Sequence, residues 1–122
     1  MAPAPDVRDT LKWQECVAAL QPLGRDTNQL RLELDNALCA HDRNKVPDAL
    51  DAFDDLLCFK ESGSFRTLLL SMNACLPQGH TVRGDEMLTN LYQRTMNIRA
   101  RVQEILIRMN ILKRNFDFIA RQ

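Results

Sequence analysis

Six side chains in this 122-residue sequence have the most immediate capacity for chemistry: Cys16, Cys39, Cys58, Cys75, His41 and His80. Cys39 and His41 lie two positions apart, and Cys75 and His80 five apart. Tetrahedral zinc needs three or four converging ligands, normally presented by a C-x-x-C or H-x-x-x-H pair. Neither pair occurs, so no metal is expected. His41 falls on the apolar line of a helical pattern, where a hydrogen-bonded helix-end histidine is the simpler reading. The cysteines are separated by 23, 19 and 17 residues, each among apolar neighbours at helical spacing. That pattern reads as buried free thiols in a reducing, intracellular compartment, cytoplasmic or nuclear, rather than as a disulfide framework.

Catalytic constellations are missing as well. The sequence contains no Gly-rich phosphate loop, no G-x-S-x-G and no H-E-x-x-H, and its carboxylates alternate with apolar residues as a solvated helix face does. The expectation is a protein without enzymatic activity or cofactor. The stretch "DALDAFDDLL" (48–57) resembles the acidic-hydrophobic segments of viral-type transcriptional activation domains, which dock a Phe/Leu face into coactivator grooves. That resemblance implies binding through Phe53, Leu56 and Leu57. The same residues also read as a bundle helix with Phe53 in the core and the aspartates in water, and this second reading is preferred.

Charge is balanced overall, with 16 basic and 16 acidic residues, but unevenly placed. From residue 93 to 122, seven basic residues face two acidic ones, a net of +5, which leaves −5 on residues 1–92. Arg94, Arg101 and Arg108 recur every seven residues and could track phosphates. The zero net charge, the pI of about 6.7 and the apolar residues between the arginines argue against a nucleic-acid partner and for a protein one.

The elements that carry these residues all repeat at 3.6 rather than 2, so the sequence predicts an all-α protein. Helices are expected over about 7–21, 26–44, 47–59, 65–76 and 85–121. Asp6 would cap the first, and Pro22-Leu23-Gly24 would stop it. Pro47 suits a first turn and Ser64 a cap. The polar loop "PQGHTVRG" precedes the last helix. The N-terminal "MAPAPDVRD" lacks the basic and apolar regions of a secretory signal, and residues 1–6 are expected to be a disordered arm. No apolar run reaches the roughly 18 residues of a membrane span. The expected architecture is a single domain over 7–122: four short helices packed on one long C-terminal helix, an elongated bundle with coiled-coil character.

The last helix is the most informative. Leu88, Leu91, Thr95, Ile98, Val102, Ile105, Met109, Leu112, Phe116 and Ile119 step by 3 and 4 without a slip, an a/d heptad seam with Arg94, Arg101 and Arg108 at g. A second line, Met96, Ala100, Ile107, Ile111 and Phe118, runs on another face, and Leu106 widens the first. Two apolar stripes require packing on two sides. At 1.5 Å per residue, positions 85–122 span about 57 Å as one helix, against a diameter on the order of 35 Å for a compact chain of this size. The expected function is therefore a noncatalytic interaction or scaffold subunit. It would join a larger complex, or self-associate, through Leu91, Ile98, Val102, Ile105, Ile107, Met109, Ile111, Leu112, Phe116, Phe118 and Ile119, with Arg94, Arg101 and Arg108 meeting acidic residues. The alternative is a small chaperone that holds an amphipathic client segment; a further alternative is a transcription-related adaptor working through 48–57.

Overall fold

In the computed structural model, which describes residues 5–122, the chain is all-helical. Four α-helices are present among the described residues: α1 (Leu11–Cys39), α2 (Val46–Leu57), α3 (Phe65–Ala74) and α4 (Glu86–Ala120). Single 3-10 turns at Val7–Asp9 and Val82–Gly84 precede α1 and α4. Most of the expected disordered arm, residues 1–4, lies outside the described residues. Asp6 already has a structural role: its carboxylate accepts the Arg8 N–H and caps the first 3-10 turn.

The first two expected helices are one. Pro22 sits inside α1, which runs on for 29 residues, about 43 Å. A proline in a helix interior removes one backbone hydrogen bond and crowds the carbonyl four residues earlier, costing about 3 kcal/mol. Here its fixed φ is compatible with helix, and Gly24 keeps helical dihedrals two residues later. Local propensity reads Pro22 and Gly24 as helix breakers, and the helix continues through both. At its far end α1 stops at Cys39, five residues short of expectation, and exposed His41 donates its backbone N–H to the Leu38 carbonyl in the turn beyond.

The caps follow the sequence more closely. Pro47 takes the first turn of α2, the Ser64 hydroxyl accepts the Thr67 N–H at the start of α3, and the Asp85 carboxylate accepts the Leu88 N–H at the start of α4. α2 ends less conventionally. Phe59 adopts φ 57°, the Phe59 N–H donates to the Leu56 carbonyl, and the Lys60 N–H donates to the Asp55 carbonyl. This is a Schellman motif with an aromatic residue at the left-handed position usually given to glycine.

The chain divides into two compact units, to which α1 and α4 each contribute one half. The unit formed by Asp26–Arg99 has a core drawn from all four helices. Leu30, Leu34 and Leu38 of α1 pack with Ala49, Phe53 and Leu56 of α2, Leu68 and Met72 of α3, and Leu88 and Leu91 of α4. Phe53 is fully buried, so the acidic segment 48–57 is a bundle helix whose Phe/Leu face is already used. The same core explains α4's polar exception: the buried Thr95 hydroxyl donates to the Leu91 carbonyl at 2.8 Å and leaves no unpaired polar atom.

The other unit comprises Met1–Arg25 and Ala100–Gln122. Its described part is two helical arms, residues 11–25 of α1 and 100–120 of α4, with the 3-10 turn at Val7–Asp9. Among the described residues its buried side chains are Val7, Cys16 and Ile105. Two helices can hide only one face of each other, so this unit leaves much of its apolar surface uncovered.

Candidate interaction surface on the C-terminal helix

The uncovered surface is clearest on α4. Successive residues turn by about 100° around a helix, so Ile107, Ile111 and Phe118 fall within about 40° of one another. Ile105, Met109, Leu112 and Phe116 fall on the opposite side. The second set faces α1: Ile105 is buried, and Met109, Leu112 and Phe116 are half-buried. With Lys12, Glu15, Cys16 and Ala19 of α1, Ile105 and Leu112 line a cleft of about 430 Å³ that Arg101, Glu104 and Arg108 also border. The first set faces solvent, with Ile107 53%, Ile111 51% and Phe118 65% exposed. Leu106 and Ile119 are exposed on its flanks.

The heptad seam is therefore consumed largely within the chain. Leu91 is buried in the Asp26–Arg99 core and Ile98 packs against it, which takes both away from any partner. Val102 is half-buried. Only Ile119, at the end of the helix, is an open seam position. The second-stripe residues Ile107, Ile111 and Phe118 stay exposed.

The seven-residue arginine repeat also divides by tertiary context. Arg94 donates to both Glu33 oxygens at 3.1 and 2.7 Å, tying α4 to α1 and holding the Glu33 carboxyl below its ordinary range. Arg101 makes a local pair with Glu104 at 3.4 Å. Among the described residues, Arg108, Lys113, Arg114 and Arg121 make no ion pair. Arg114 was not among the expected partner residues. It lies three residues after Ile111 and four before Phe118, a spacing that already set it in the outward stripe.

Arg99, the last residue before Ala100, belongs to the Asp26–Arg99 unit instead. Its guanidinium lies 4.6 Å from the Phe59 ring centroid and 5.7 Å from that of Phe65, and its Nε donates to the Leu56 carbonyl at 3.2 Å. Tyr92, seven residues earlier, meets Phe65 edge to face and donates its hydroxyl to the Phe65 carbonyl at 3.4 Å. Here α2, α3 and the loop between them pack against α4 through Tyr92 and Arg99.

All four thiols are free. Cys16 and Cys75 are buried, Cys39 is half-buried, and Cys58 is exposed, against the expectation that all four would be inside. The Cys39 thiol donates to Asp35 at 3.1 Å, and that bond pushes its pKa up, while burial does the same to Cys75. Neither thiol is poised as a thiolate nucleophile. Among the described residues no three His, Cys, Asp or Glu side chains converge as metal ligands, and no helix is long and apolar enough to cross a membrane.

Comparison with known proteins adds no relative: no family model, curated protein or solved structure matches this chain.

Proposed function

We propose that this chain is a noncatalytic helical subunit that joins a larger protein assembly through the C-terminal half of α4. One observation carries the reading. Ile107, Ile111 and Phe118 stand half or more exposed on the side of α4 opposite its α1-facing stripe, in a unit with very little buried core. Burying a large apolar side chain is worth roughly 1.5–3 kcal/mol, and contiguous exposed apolar patches mark interaction sites. The seam residues Val102, Ile105, Met109, Leu112 and Phe116 would then hold the helix in place. The second stripe, with coiled-coil spacing, would meet the partner. The four unpaired thiols fit an intracellular setting.

The test is affinity capture with the wild-type chain and an Ile111→Asp/Phe118→Asp double variant, both expressed at native levels and checked by circular dichroism. Both positions are exposed, so the variant keeps its helical signal and melting temperature. A stable, stoichiometric set of proteins should co-purify with the wild type, persist through a chase and be absent from the variant. Identical sets from the two chains would sink the reading. Proteins that depend on the stripe but leave during the chase would point instead to a holding chaperone.

A further inference from the structure

The outward stripe has a charge pattern as well as an apolar one. From Ala100 to Gln122, Arg101, Arg108, Lys113, Arg114 and Arg121 stand against Glu104 and Asp117, and Glu104 is already paired with Arg101. Arg114 is inside the stripe: it follows Ile107 by seven positions and sits between Ile111 and Phe118 on the same face. Arg121, a further seven along, continues the line, and Arg108 borders it.

A charged residue at a seam position is a specificity device. Parallel pairing of two copies sets Arg114 against Arg114. Antiparallel pairing that stacks Ile107 on Phe118 of a second copy leaves the two Arg114 side chains within about one turn of each other. Both arrangements bring like charges into a desolvated contact, which is unfavourable. Area points the same way. At a full exposure of roughly 200 Å² per large side chain, Ile107, Ile111 and Phe118 offer about 300 Å². A stable dimer buries about 800 Å² per partner, more than twice what the stripe offers.

The charge also identifies what a fitting helix must carry. The chain's own acidic helix α2 bears Asp48, Asp51, Asp54 and Asp55, but Phe53 and Leu56 are shut in the core and Arg31 holds Asp54 with two contacts of 2.9 Å. The α2 helix of a second copy therefore has no free apolar face to bring.

Resting on the subunit reading above, we propose that the outward face of α4, with Ile107, Ile111 and Phe118 around Arg114, docks an acidic amphipathic helix of a different protein. The partner's apolar line covers the stripe. Its carboxylates pair with Arg114, Arg121 and Arg108.

The experiment uses the full chain and two synthetic, fluorescein-labelled peptides of about three heptads. Each has leucine on one face; one has glutamate on the flanks and its twin has lysine. Anisotropy should show saturable binding of the glutamate peptide, weakening as salt rises, and at least about tenfold weaker binding of the lysine peptide. Arg114→Glu should reverse that preference, and Phe118→Asp should abolish binding of both. Equal binding of the two peptides, or an unchanged preference in Arg114→Glu, overturns the proposal. So does a wild-type dimer in light scattering that Phe118→Asp converts to monomer, because the occupant is then a second copy. Sedimentation with anionic vesicles in place of peptide binding, lost in Phe118→Asp, also overturns it. If neither peptide binds while affinity capture still depends on Ile111 and Phe118, the acidic-helix inference falls and the subunit reading stands. If capture does not depend on them, the subunit reading falls too.

Discussion

Arg94 and Glu33, sixty-one positions apart in the chain, meet through two hydrogen bonds of 3.1 and 2.7 Å. They join the second half of α1 to the first half of α4 beside the Leu34 and Leu91 core. Each side chain is over a third exposed, so solvent screens the pair and its contribution is modest. Its pH signature is still distinct. The Arg94 hydrogen bonds hold the Glu33 pKa below its ordinary 4.5, so the folded chain keeps this carboxylate ionised where the unfolded chain protonates it. The stabilisation is complete above that ordinary value and is lost as pH falls through the depressed one. Glu33→Gln should therefore melt lower than wild type at pH 7, with the gap narrowing as pH falls below 4.5. Thermal melts across that range check this, and a gap that stays constant with pH refutes it.

The continuity of α1 is testable at its two weakest residues. A Cβ added at Gly24 meets nothing within 4 Å, so Gly24→Ala should stabilise by about 1 kcal/mol through helix propensity alone. Pro22→Ala restores a helical N–H and should also stabilise, by up to about 3 kcal/mol less the freedom it returns to the unfolded chain. Denaturant titration reads both. A loss of stability in either variant would mean that the chain turns at Pro22-Leu23-Gly24, as their local preferences predict.

The end of α2 depends on close backbone contact. A Cβ on Gly63 would meet the Asp55 carbonyl oxygen at 2.4 Å, so Gly63→Ala should cost on the order of 1–3 kcal/mol as the loop is forced off α2. Arg99→Ala should cost about 1–2 kcal/mol by removing the cation–π contact with Phe59 and the bond to the Leu56 carbonyl. Arg99→Lys should recover only part of this, since an ammonium cannot stack on the ring and reach that carbonyl with the same geometry. Full recovery by lysine would show that charge alone matters.

Two isoleucines six residues apart should behave oppositely. Ile105 is 8% exposed and Ile111 51%. Ile105→Asp replaces a buried apolar side chain between α1 and α4 with a carboxylate and should lower stability by about 1–3 kcal/mol. Ile111→Asp should leave the melting temperature within a few degrees of wild type and remove binding. Similar stability losses in the two variants would mean that the outward stripe is covered within the chain.

The helical class and the roles of Pro47 and Ser64 at helix starts were legible in the sequence, because each depends on a few neighbouring residues: a 3.6 period, a hydroxyl ahead of a helix, a proline in a first turn. The two stripes of α4 were legible for the same reason. What the sequence could not assign was the occupant of each side. Leu91, Ile98 and Ile105 look as available as Ile111 and Phe118 in the heptad pattern, and Arg94 looks like Arg108. Tertiary contacts separate them: the Asp26–Arg99 core takes Leu91 and Ile98, α1 lies beside Ile105, and Glu33 takes Arg94. Local propensity at Pro22 and Gly24 predicts a stop, and the helix runs through both, because neither residue's preference fixes its neighbours' hydrogen bonds by itself.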